Sequence, residues 1–118
     1  MNNALSGFGA HAKSLELFDL VVADLSTIAG NPALQKLVSQ QYASADSIAS
    51  NIEEGFGRGS SVDYSRFLLI ARGSAQETAG RYGRLRHWLP ADVVSSRVTL
   101  CNEIIAILTA SIRTLRSK

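Results

Sequence analysis

NIEEGFGRGSS, residues 51–61, sets glycines at 55, 57 and 59 among two adjacent glutamates and one arginine. A phosphate-cradling loop follows a strand, opens a helix, and in its commonest form ends in Gly-Lys-Ser/Thr. Here the glycines follow a segment of helical period, and no lysine lies near. The stretch therefore reads as the turn of a tight helical hairpin that binds nothing itself. Gly55 lies where a helix can still run, so its role is close packing against the neighbouring segment. Gly57 or Gly59 takes the left-handed conformation that ends a helix. Ser60 or Ser61 then caps the next one.

Working outward, alternation at strand period is nowhere sustained and helical period dominates. Leu15, Phe18, Val22, Leu25 and Ile28 predict a helix over about 12–29. Gly30-Asn31-Pro32 stops it; Asn31 caps the next helix and Pro32 takes its first position, where a missing N–H costs nothing. The second helix is expected over about 32–56, with Leu34, Leu37, Val38, Tyr42, Ala45, Ile48, Ala49 and Ile52 on its apolar face. Between 43 and 50 its side chains are small, which lets a neighbouring axis approach, and Ala71, Gly73, Ser74 and Ala75 match them. The third helix begins near Val62 and carries Phe67, Ile70, Ala71, Ser74, Leu85 and Trp88, with a bend or frayed section expected at Gly80 and Gly83. After Leu89-Pro90 the fourth helix fills about 90–116 on Val94, Val98, Cys101, Ile104, Ile105, Leu108, Ile112 and Leu115. Val93, Leu100 and Ile107 are extra apolar residues outside that stripe, expected at a second surface. The fold class is all-α, an antiparallel up-down-up-down four-helix bundle over 12–118, preceded by a flexible arm at 1–11 that holds His11.

A hairpin centred near residue 59 pairs residues whose numbers sum to about 118–120. That sets Glu54 near Tyr64 and Arg66, Ser47 near Ala71, and Ser44 near Ser74. Asn51, Glu54, Arg58 and Arg66 are expected to form one polar cluster at the hairpin end, with Glu54 and Arg58 as an i,i+4 ion pair.

A chain of 118 residues suits one domain. No apolar run approaches the roughly 20 residues that span a bilayer, and the start lacks the basic and apolar regions of a signal peptide. The single cysteine, Cys101, excludes an internal disulfide and makes the cytoplasm the default compartment. Charge is split: residues 1–57 hold two bases and six acids, net −4, and residues 58–118 hold ten bases and four acids, net +6. Such a split marks either a polyanion-binding surface or helices of opposite charge set side by side.

The strings SIASNIEEGFGR and YSRFLLIARGSAQET resemble the four-helix-bundle family that includes proteins encoded in bacterial 23S ribosomal RNA intervening sequences. That family typically reads S-I-x-x-N-I-A-E-G-x-G-R and then F-x-R-F-L-x-I-A-x-G-S-x-x-E. Ser47, Ile48, Asn51, Ile52, Glu54, Gly55, Gly57, Arg58, Arg66, Phe67, Leu68, Ile70, Ala71, Gly73, Ser74 and Glu77 match it. Glu53 stands where alanine is common, and Ala79-Gly80 where Glu-Thr often follows, which removes a carboxylate from the third helix. The resemblance implies an all-helical cytosolic protein. A related branch is the accessory variability determinant protein of diversity-generating retroelements, a pentameric barrel with a basic surface that works with a reverse transcriptase and nucleic acid. A ring-forming homo-oligomer, a pentamer, is what the resemblance implies here, with a reverse transcriptase as partner if the gene lies in a retroelement.

No catalytic residue, metal site or cofactor site is expected. His11 and His87 have no His, Cys or carboxylate at i+3 or i+4 to complete a metal pair, and no base stands beside Cys101 in sequence. Adjacent Glu53 and Glu54 point about 100° apart on a helix, so they form no acid–base dyad. Arg72, Arg81, Arg84, Arg86, Arg113, Arg116 and Lys118 are the candidate contacts to RNA or DNA, with Arg97 on the same two helices. Aromatic neighbours are few, so phosphate contact rather than base stacking is the expected mode. Two function classes follow: a non-enzymatic self-associating bundle with a nucleic-acid face, or a protein-binding scaffold with no nucleic-acid role.

Overall fold

The computed structural model describes residues 8–118, so positions 1–7 of the expected arm lie outside the described residues. Four helices follow in order: α1 (Gly9–Ser26), α2 (Gln35–Phe56), α3 (Ser61–Arg84) and α4 (Ala91–Arg116). Short 3-10 turns at Pro32–Leu34 and Leu85–His87 join α1 to α2 and α3 to α4. Among the described residues there is no strand. Each helix packs on its chain neighbours and α1 closes the square against α4, leaving α1 and α3 on diagonal corners. The bundle measures 47 × 22 × 20 Å.

The connections follow from local chemistry. Asn31 Oδ1 accepts the Ala33 N–H at 3.0 Å, and Pro32 occupies the first position of its turn. Ser60 accepts the Asp63 N–H at 3.2 Å and caps α3. Among the described residues Gly59 alone takes the left-handed conformation, at φ +82°, whereas Gly57 remains right-handed at φ −79°. Gly55 is buried: a Cβ there would lie 2.7 Å from Phe67 Cβ and 3.0 Å from Tyr64 Cδ1. The α2–α3 pairing is set by that contact, not by the middle of the loop. Ser47 bonds to Ser74 and Ser44 to Thr78, each at 2.8 Å, so the register is slid about one helical turn from the expected Ser47–Ala71 and Ser44–Ser74 pairs.

The core holds Leu17, Val21, Leu25, Ala45, Ile48, Ile52, Leu68, Ala71, Ala75, Tyr82, Cys101, Ile104 and Leu108. Several expected stripes are rotated. α1 turns Leu15 and Val22 outward, each 42% exposed, and buries Ala10, Ser14, Leu17 and Val21 instead. Ile70 and Trp88 are likewise 52% and 44% exposed, while Leu100 joins the core at 8%. The reason is that each helix meets two neighbours at once. The buried sector is then fixed by which residues fit both contacts, not by summed hydrophobicity. α1 also begins earlier than the expected residue 12. His11 is a buried helical residue, not part of an arm, and its Nε2 lies 2.8 Å from Glu53 Oε2 on α2.

α4 is long and apolar enough on average to cross a bilayer by length and composition alone, although charged Asp92, Arg97 and Glu103 interrupt it. In the bundle it buries Leu100, Cys101, Ile104, Leu108 and Ile112 and exposes Asn102, Glu103 and Arg113. Burial pushes the Cys101 thiol up to about 12, so it is a neutral core group at physiological pH.

α3 runs unbroken through Gly80 and Gly83 and tightens only at Leu85. A Cβ at Gly83 would meet nothing within 4 Å. Gly83→Ala is therefore expected to stabilise the protein by about 1 kcal/mol, because alanine restricts the unfolded chain without a clash. A denaturant midpoint that falls instead would show that α3 is not a regular helix there.

Candidate polyanion-binding face

Most of the basic residues lie on α3 and α4, but the fold separates them into distinct groups. Arg72 from the middle of α3 and Arg113 and Arg116 from the last turns of α4 surround one open groove of about 440 Å³, completed by Thr109, Ile112 and Ser117. Among the described residues no carboxylate lines it. Antiparallel packing of α3 on α4 creates this neighbourhood: it brings position 72 level with 109, where Arg72 Nη1 lies 3.4 Å from Thr109 Oγ1. Arg113 and Arg116 also stand where the carbonyl end of α4 favours cations. Lys118 follows on the exposed last residues. Three guanidiniums round one groove suit forked contacts to successive phosphates.

The other candidates lie elsewhere. Arg86 is exposed and donates from Nη1 to the Gly83 carbonyl at 2.8 Å. Arg84 is exposed and lines a separate groove with Gly80 and Arg81. Arg81 is only 7% exposed and turns toward α2. Its Nη1 donates to Gln41 Oε1 at 2.8 Å, Ser44 Oγ at 2.9 Å and the Gln40 carbonyl at 3.3 Å. Burial, then the nearby Arg84 charge, lower its pKa, with Glu77 opposing them. Arg81 therefore joins a polar seam in which Gln41 Nε2 donates to the Thr78 carbonyl at 3.0 Å. It is a helix-to-helix tie, not an open phosphate contact.

Arg97 is the residue whose role sequence reasoning missed most clearly. Its Nε and Nη2 clasp Asp24 of α1 at 2.8 and 3.0 Å, and Tyr82 of α3 donates its hydroxyl to the same carboxylate at 2.7 Å. Three helices meet on one buried carboxylate. The Asp24 bond raises the Arg97 pKa, and burial raises that of Tyr82 above its ordinary value. A signal was present: Asp24 stands at core spacing from Leu17 and Val21, and a charge at such a position demands a partner.

The expected single cluster at the hairpin end is three separate contacts. Asn51 Nδ2 donates to the Ser47 carbonyl and hydroxyl at 2.8 and 2.9 Å. Glu54 pairs with Arg58 at 2.8 Å, and Arg58 lies 5.0 Å over the Phe67 ring. Arg66 is exposed and reaches Asp63 at 3.5 Å. The one-turn slide of the register and the outward phase of Arg66 keep it from Glu54. His87 packs edge-on against Trp88. Among the described residues, no three His, Cys, Asp or Glu side chains gather as a metal set.

No curated protein sequence matches the chain. The sequence model of the family described as 23S rRNA-intervening sequence protein matches residues 10–110, a span that takes in nearly all of the bundle and includes the glycine hairpin and the Asp24–Tyr82–Arg97 junction. The chain belongs to that family.

Proposed function

We propose that this protein is a non-enzymatic, self-associating helical bundle whose Arg72–Arg113–Arg116 face contacts RNA or DNA through the phosphate backbone. The observation that carries the reading is the groove that holds three guanidiniums and no lining carboxylate. Contacts of this kind neutralise phosphates without reading bases, so binding is sequence-independent and falls with salt. The ring of five copies rests on the resemblance to the accessory variability determinant protein. A reverse transcriptase is a partner in this reading only where the gene lies in a retroelement. A cytoplasmic location accords with the single buried thiol. The second reading, a protein-binding scaffold, draws on the opposite charge of the two chain halves and on exposed Leu15, Val22 and Ile70.

Titration of a labelled single-stranded RNA and a DNA duplex at several salt concentrations separates the two. The expected result is a linear fall of log affinity with log salt. Arg72→Gln/Arg113→Gln/Arg116→Gln should flatten the slope by about two for the single strand and nearly three for the duplex, since each phosphate contact contributes roughly 0.7 and 0.9 respectively. Absence of binding at low salt by the folded protein would leave the scaffold reading alone.

A further inference from the structure

The outer side of the α2–α3 pair is a shallow trough. One part, about 360 Å³, is lined by Gln40, Ala43, Ser44, Ser47, Ser74, Glu77 and Arg81; the next, about 490 Å³, adds Gly73, Gly80 and Arg84. Gly73 has no partner that requires it: a Cβ there would meet nothing within 4 Å. Glycine weakens a helix interior, so a bare surface glycine serves close approach from outside or nothing in this bundle. A second observation marks the same place. Arg81 is nine-tenths buried where both grooves meet, and its Nε is a buried donor with no acceptor. Among the described residues Glu77 is the one acid lining either groove.

The complementary surface is on α1, the corner diagonal to α3. α1 presents Leu15, Asp19 and Val22 along one exposed stripe, at helical spacing, with Glu16 beside it. Leu15 and Val22 are each 42% exposed. This is a narrow apolar ridge carrying negative charge, and the trough is small-walled and carries Arg84 at its edge. We propose that the α1 ridge of one copy docks into the α2–α3 trough of a second copy. The inference rests on the self-association reading and names its two surfaces. Ridge and trough are different parts of each copy, so the contact is head-to-tail and repeats, closing a ring if the rotation allows.

The test uses two variants of the full chain. Leu15→Glu/Val22→Glu spoils the ridge, and Gly73→Trp fills the trough; all three sites are open to solvent or empty space, and circular dichroism checks that each variant folds. Ala43→Trp serves as a second trough variant should Gly73→Trp unfold. Mass is read by sedimentation. Wild type is expected to form a multi-copy particle, and each variant alone a monomer. An equimolar mixture should stop at a dimer, because one intact ridge then meets one intact trough. Variants that assemble as wild type does, or a mixture that stays monomeric, would overturn the assigned surfaces while leaving self-association standing. A wild-type monomer at all concentrations would remove self-association itself, and the docking with it.

Discussion

Asp24→Ala is expected to cost about 3–5 kcal/mol, a large part of the roughly 5–15 kcal/mol that a domain of this size commands. The carboxylate is 6% exposed and receives three donors, two from Arg97 and one from Tyr82. Removing it leaves Arg97 Nε and Nη2 and the Tyr82 hydroxyl without an acceptor at the meeting of α1, α3 and α4. The cost comes from stranding those donors, since a buried ion pair barely exceeds its own desolvation when intact. The triple change Asp24→Leu/Tyr82→Phe/Arg97→Met removes every polar group together, and should recover most of the loss. Urea unfolding at constant m measures both. A loss below about 1 kcal/mol for Asp24→Ala would equate the junction with a surface ion pair and contradict its burial.

Gly55→Ala is the second large effect. The added methyl carbon would stand 2.7 Å from Phe67 Cβ and 3.3 Å from the Tyr64 carbonyl oxygen. Neither is the free end of a flexible side chain, so α2 and α3 must separate at the hairpin. Overpacking of this kind costs about 1–3 kcal/mol, and the upper end is expected because backbone has to move. Gly55→Val should exceed it. At Gly83 the same glycine-to-alanine change meets open space, so opposite signs at 55 and 83 are the informative result. An alanine at 55 that leaves the urea midpoint unmoved would mean that α2 and α3 are farther apart than described.

The family motif spans residues 47–77, and much of what was legible from it depends on short-range chemistry. Gly55 as a packing residue, Ser60 as a cap and the antiparallel α2–α3 hairpin follow from one stretch of turn-forming and small residues. The apolar faces were less legible. Leu15, Val22 and Ile70 have the right residue type and the wrong phase. Periodicity reports that a helix has an apolar side, but the angle of that side depends on two neighbours whose positions are not local information.

The arginines show the same division. Sequence placed Arg72, Arg81, Arg84, Arg97, Arg113 and Arg116 on two helices without separating their tasks. Helix packing then sent Arg81 inward to Gln41 and Ser44, and Arg97 to Asp24. It left Arg72, Arg113 and Arg116 round one groove. The amino-acid sequence by itself determined an all-helical bundle, its four segments, the reversal at 55–60 and the family, because these depend on residues within a turn or two of one another. Tertiary structure alone decided which charges are buried, which sector of each helix faces water and which basic residues share a surface. Those depend on distances between residues such as Asp24 and Arg97, far apart in the chain, and on the desolvation each arrangement imposes.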